Sequence, residues 1–153
     1  MIVPAEGEFR LDREADTTRL GAAIGKALEK GEAICLTGPL GAGKSVLARG
    51  LIRGLIPGER DVPSPTFTLV QFYDAPRLRI GHFDLYRLAK PDEIFELGLD
   101  EALAEGAAVI EWAEKLAHHL PRHRLDVELT VEAEHRRARL GGHGRWEGRP
   151  IAL

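Results

Sequence analysis

Hydrophobic positions recur with two different periods along this 153-residue chain. In residues 12–30, DREADTTRLGAAIGKALEK, the apolar side chains Leu20, Ala23, Ile24, Ala27 and Leu28 fall three and four apart, the spacing of one buried helix face. Asp12 or Asp16 is available to cap the start of that helix and Gly31 to end it. Residues 33–37, AICLT, form a short continuous apolar run, the pattern of a strand covered on both faces. Helical spacing returns in SVLARGLIRGL, where Leu47, Leu51 and Leu55 make one face until Pro57 and Gly58 stop it.

The second half repeats the alternation. Two prolines exclude regular structure at the start of DVPSPTFTLVQFYD, after which Thr66 to Tyr73 is rich in β-formers. The turn DAPR and the run LRIGHFDLYRL then predict a hairpin, whose pleat would set His82, Asp84 and Tyr86 on one face. Residues 91–105 read as one or two short helices, with Pro91 suited to a first turn and Gly98 and Gly106 as punctuation. AAVIE repeats the buried-strand pattern, and Leu125 to Val131 alternates with period two before a turn near Glu134 and a partner run from Arg136 to Leu140. Apolar strands alternating with amphipathic helices predict an α/β fold. The expected architecture is a single three-layer domain over residues 1–153, with a mostly parallel central sheet and a C-terminal β-hairpin.

Composition narrows the setting. A chain of this length, 44% apolar and 29% charged, buries a core without help from metals or disulfides. Its single cysteine, Cys35, reads as a small core residue and excludes an intrachain disulfide, which points to a reducing compartment and hence the cytoplasm. MIVPAEGEFR has neither a charged leader nor an apolar run, and no segment approaches the roughly 18 apolar residues of a membrane span, so secretion and membrane insertion are not expected. A net charge of -3 provides no global field toward nucleic acid. The charges are nonetheless uneven: Asp92 to Glu114 holds acids without a Lys or Arg, whereas Arg and His dominate His118 to Arg149. Such blocks are either solvated faces or a partner-docking surface.

Chemistry enters with GPLGAGKS. Gly38, Gly43, Lys44 and Ser45 fit the P-loop spacing and lie between an apolar strand and an amphipathic helix, the context the motif requires. Backbone N–H groups of such a loop wrap phosphate oxygens at a helix N-terminus, and side chains larger than glycine would block the approach. Lys44 would sit by the β- and γ-phosphates and the Ser45 hydroxyl would bind Mg²⁺. A second oxygen ligand is then needed. Glu111, closing AAVIE, suits that role better than Asp84, which closes the more polar LRIGHFD and would hold a metal-bound water or orient the attacking water. Either carboxylate could instead serve as a cap or ion-pair partner. Trp112 stands at the edge of this site, where an indole can cover the nucleotide, contact a partner, or simply pack. The SPT of Ser64 to Thr66 occupies the region where GTPases keep a switch threonine. His82 reads more readily as a structural histidine than as an acid or base.

Taken in order, GPLGAGKS, SPTFTLVQFY, HFDLYRL, ELGLDEAL and VIEWAEKL closely resemble the TsaE family, also called YjeE, of small bacterial P-loop ATPases. The likeness covers roughly residues 12 to 140. It implies a role in forming the N6-threonylcarbamoyl group on adenosine 37 of ANN-reading tRNAs, with ATP and Mg²⁺ as cofactors and the TsaD-TsaB transferase as partner, so that tRNA is met only through that complex. By the same resemblance Gly38, Gly41, Ala42, Gly43, Lys44, Ser45 and Val46 belong to the phosphate loop, and Ser45 and Glu111 hold the metal. Asp84 and Trp112 match positions important for ATPase function, Thr66 lies in the loop beside the phosphates, and Glu14, Thr17 and Arg136 are expected around the base and ribose. Two departures stand out: Ser45 replaces the usual Thr and keeps the ligand oxygen, and Ala113 stands where Pro often follows EW. Two rivals share the loop, a small-molecule kinase and a nucleotide-binding regulatory subunit with little turnover. A kinase would also need an Arg-bearing lid, and no glycine-flanked Arg segment of that kind is evident.

Overall fold

The computed structural model of the chain describes residues 1–58, 62–63, 65 and 68–153. In chain order its elements are β1 (Ile2–Pro4), β2 (Glu6–Leu11), α1 (Glu14–Ala27), β3 (Ala33–Thr37), α2 (Lys44–Leu55), β4 (Val70–Asp74), β5 (Arg79–Asp84), α3 (Leu99–Glu105), β6 (Ala107–Glu111), β7 (Arg124–Val131), β8 (Arg136–His143) and β9 (Pro150–Ala152). Short 3-10 turns occupy Pro91–Phe95, Ala113–His119 and Gly144–Trp146. Seven strands make one sheet in the order β2-β8-β7-β3-β6-β5-β4, and β1 pairs with β9 as a separate antiparallel ribbon. Pairing is parallel at the centre, from β7 through β3 and β6 to β5, and antiparallel at both flanks. Five of the seven strands therefore run in one direction, as expected for this α/β fold.

Two apolar layers cover the sheet. On one face α1 and α2 bury Leu20, Ile24, Leu28, Leu47, Leu51 and Ile52 against Ile34, Leu36, Val109 and Val127. On the other, α3 and the 3-10 turns place Ile94, Leu99 and Leu116 over Cys35, Phe83 and Ile110. Each such side chain, fully buried, contributes about 1.5–3 kcal/mol. Cys35 is 1% exposed, and burial pushes its thiol pKa up, which suits the core role read from the sequence.

Helices α1 and α2 meet at backbone distance. A Cβ at Gly21 would lie 2.3 Å from the Leu47 carbonyl oxygen, and one at Gly50 would lie 2.5 Å from that of Thr18. Alanine at either position would force the helices apart. This seam also draws the first turn of α1, with Thr17, against the loop that opens α2.

Several boundaries differ from the sequence expectation. Neither Asp12 nor Asp16 is the N-cap of α1; Arg13 is, and Asp16 reaches back from the third helical position to accept its backbone N–H at 3.1 Å. The helix ends at Ala27, before Gly31, because Leu28 is already extended and the last carbonyls find distant arginines: Arg77 donates to Gly25 and Leu28 at 2.9 Å each, and Arg149 to Ala27 at 2.9 Å. Strand β4 starts at Val70, and β5 ends at Asp84, so Tyr86 lies beyond the pleat that His82 and Asp84 share. Tyr86 is 48% exposed while His82 is 0% and Asp84 4%. Strands β1, β2 and β9 were not among the elements expected from the sequence, each being short with only one or two apolar residues. Pairing supplies their order, with Phe9 opposite Ala138 on β8 and Val3 opposite Ile151.

Candidate phosphate and metal site

Strand order assembles the site. With β3, β6 and β5 adjacent and parallel, their C-terminal ends lie side by side, and there the chain delivers the loop after Thr37, the carboxylate of Glu111 and that of Asp84. Asp84 and Glu111 are direct register partners on neighbouring strands. This is the edge at which ligands of open α/β sheets bind.

Gly38, Gly41 and Gly43 all take positive φ, at 135°, 82° and 109°. Gly38 is required twice over, since a Cβ there would stand 2.2 Å from the Leu129 carbonyl oxygen of β7. Gly43 in the left-handed region is the N-cap of α2, so the turn feeds straight into the positive end of a 12-residue helix. Lys44 follows at the first helical position. Its Nζ donates to the carbonyls of Gly38 at 2.6 Å and Pro39 at 2.9 Å, and it sits 3.9 Å from the centre of the Trp112 ring. Desolvation pulls the Lys44 pKa down, against the opposing charges of Glu114, Glu111 and Asp84.

Beside the loop, Ser45 Oγ donates to Glu111 Oε1 at 2.7 Å. The other oxygen, Oε2, is 2.6 Å from His82 Nε2. Glu111 is 1% exposed, and among the described residues no lysine or arginine is bonded to its carboxylate. Asp84 Oδ1 accepts the backbone N–H of Tyr86 at 3.0 Å, which turns the chain out of β5. Trp112 leaves β6 at φ 60°, ψ 44°, a left-handed conformation costing a non-glycine residue roughly 1–2 kcal/mol. Half-buried, its indole packs on Lys44 and on the Tyr86 ring, 5.1 Å between centroids, so it is neither a free surface anchor nor a plain core residue.

Two clefts flank the loop. One of about 190 Å³ is lined by Leu40, Gly41, Gly43, Lys44, Ser45, Val46, Glu111 and Trp112. The other, about 210 Å³, lies between α1 and the β7–β8 hairpin, where Glu14, Thr17, Ala42, Val46 and Arg136 meet. Arg136 Nε also donates to the Gly41 carbonyl at 3.4 Å. The structure thus gathers Glu14, Thr17 and Arg136, far apart in sequence, around one loop. Thr66 lies outside the described residues. His135, Leu11 at the end of β2 and the following Asp12 and Arg13 also line this second cleft and were missed, since EGEFRL was not read as a strand that would extend the sheet. A larger cleft of about 420 Å³ opens on the far face of the sheet, lined by Cys35, Asp126, Glu128 and Arg139; it holds none of the loop residues.

The donors at the loop suit Mg²⁺, a hard cation that takes oxygen ligands and keeps several of its waters. One hydroxyl and one carboxylate already in contact provide two such oxygens. Among the described residues no group of three or more His, Cys, Asp or Glu forms a closed metal cage.

Comparison with known proteins follows the same lines. Residues 11–139 match the family model described as "Threonylcarbamoyl adenosine biosynthesis protein TsaE". The tRNA threonylcarbamoyladenosine biosynthesis protein TsaE of Treponema pallidum is 41% identical over 120 residues, 78% of this chain and 87% of that protein. That of Rickettsia felis is 38% identical over 127 residues, 83% and 74% of the two chains. Among solved structures, YdiB from Bacillus subtilis superposes with a TM-score of 0.76 at 26% identity, covering 95% of this chain and 90% of the other.

Proposed function

The chain belongs to the TsaE family of tRNA threonylcarbamoyladenosine biosynthesis, and on that premise we propose that it is an ATPase that binds ATP with Mg²⁺ and acts on the TsaD-TsaB transferase complex in the cytoplasm, meeting tRNA only through that complex. One observation carries the reading: Ser45 and Glu111, 66 positions apart, are brought into contact at the mouth of a glycine loop that opens a helix.

In this reading Gly41 to Val46 wrap the phosphates, and the base and ribose occupy the cleft between Glu14, Thr17 and Arg136. Lys44 exchanges the carbonyls of Gly38 and Pro39 for phosphate oxygens. Ser45 and Glu111 hold Mg²⁺, which when bound neutralises charge developing on the phosphates. Asp84, one strand over from Glu111, orients the attacking water. The backbone bond from Tyr86 fixes the Asp84 carboxylate for that task. Trp112 shields Lys44 from solvent and joins the loop to the exposed Tyr86 ring, a route by which a partner can sense the phosphates.

The test is phosphate release from ATP-Mg²⁺ by the purified chain, alone and with TsaD-TsaB. Release should rise with the complex and disappear with Lys44→Ala. Absence of release in both arms, or transfer of the phosphoryl group to a metabolite, would overturn the reading.

A further inference from the structure

We propose that His82 is a positioning residue that locks the Glu111 carboxylate in the rotation that presents Oε1 beside Ser45. The inference rests on the metal reading given above and deepens it. His82 is in the middle of β5, on the face shared with Ile80 and Asp84, opposite Val109 of β6. Its side chain is 0% exposed. An ionised carboxylate only accepts, so the ring carries its proton on Nε2 and donates to Glu111 Oε2 at 2.6 Å.

The remaining nitrogen explains why this is more than packing. Nδ1 is buried and has no hydrogen-bond partner among the described residues. A leucine would fill the same apolar surroundings without stranding a polar atom, so the imidazole is disfavoured there except for its one bond. That bond goes to the carboxylate oxygen pointing away from Ser45. Held from opposite sides by Ser45 and His82, the carboxylate has one orientation. With Ser45 alone either oxygen could take the hydroxyl and the group would rotate. Partners of this kind behind a ligating carboxylate typically change metal affinity 10–100-fold when removed.

The experiment uses the full chain and calorimetric ATP titrations, with EDTA and across a Mg²⁺ series, for the parent, Glu111→Gln, His82→Leu and His82→Gln. Glutamine is included because its amide nitrogen reaches about as far as Nε2. His82→Leu should leave Mg²⁺-free ATP affinity within about twofold and raise the Mg²⁺ concentration for half-maximal enhancement at least tenfold; His82→Gln should recover most of that. If Glu111→Gln is shifted but His82→Leu responds to Mg²⁺ like the parent, His82 is packing only and the proposal falls. Should Glu111→Gln itself respond like the parent, the metal reading fails, and the proposal with it. If His82→Leu does not fold, His82→Asn, whose amide stops short, replaces it: a shifted Asn with a parent-like Gln supports positioning, and two parent-like variants overturn it.

Discussion

Two buried glutamates hold opposite ends of this molecule in opposite ways. Glu32, 0% exposed, is met by Arg149 through two bonds of 2.5 and 2.6 Å, by the backbone N–H of Glu29 at 3.0 Å and by Arg145 at 3.5 Å. Glu111, as deeply buried, is met by a hydroxyl and an imidazole. One carboxylate is neutralised within the chain, and its Arg149 partner also packs over the buried Trp146 ring, 4.4 Å from its centre. That cluster staples the segment before β9 to the end of α1. The other carboxylate has no lysine or arginine bonded to it among the described residues. On the function proposed above, a structural site closes its electrostatics, while a site for chemistry leaves them open at some cost in stability.

The largest effect should come from breaking the closed site. Arg149→Leu leaves Glu32 buried and unpaired, and a loss of about 3–5 kcal/mol is expected by denaturant melts. The contrast is Glu111→Gln, at a carboxylate to which no lysine or arginine is bonded among the described residues; the same melts should show stability held or raised, and a comparable loss would erase the distinction between the two sites. Acid sharpens it further. Burial alone would raise the Glu32 pKa, but the hydrogen bond from Arg149, the Glu29 amide and the charges of Arg149 and Arg145 outweigh it and hold the carboxyl below its ordinary 4.5. A depressed carboxylate stabilises the fold above its unfolded value and loses that contribution as pH falls through the folded one. Stability linked to Glu32 should therefore fade only below about pH 4.5, and this part of the acid dependence should vanish in Arg149→Leu.

Next in size is Lys44→Ala. Charge-assisted bonds to phosphate contribute roughly 1.5–3 kcal/mol each, so ATP affinity should fall tenfold or more by calorimetry. Then come the paired carboxylates: Glu111→Gln should weaken Mg²⁺-dependent binding about 10–100-fold, whereas Asp84→Asn should spare binding and slow turnover. Equal loss of Mg²⁺ dependence in both would end that division. Smallest is Trp112→Ala, expected to weaken TsaD-TsaB binding or stimulation by at least about 1 kcal/mol, roughly fivefold, in surface-binding kinetics. Because the indole shields Lys44, the variant's ATP affinity is the control. Charge reversal at Glu93 and Glu96 should slow association with the complex, and the slowing should fade as salt is raised.

What the chain reveals on inspection is whatever a few neighbouring residues decide. GPLGAGKS between AICLT and SVLARGLIRGL announces a glycine loop that opens a helix, because positive φ at Gly41 and Gly43 and the helix start at Lys44 are local matters. The buried strands around Val109 and Ile34 and the leucine face of α2 are legible for the same reason, since their periods report burial directly. Glu111 was readable as a buried carboxylate beside the loop because it ends a strand buried along its whole length. Only the tertiary structure decided the rest. His82 meets Glu111 across 29 positions, Arg149 meets Glu32 across 117, and Arg136 reaches Gly41 across 95. Those pairings follow from strand order and from the glycine seam between α1 and α2, which no local pattern encodes. A histidine in a strand looks the same from the sequence whatever lies beside it; the register of β5 on β6 sets His82 opposite Val109 and within reach of Glu111 two residues further along.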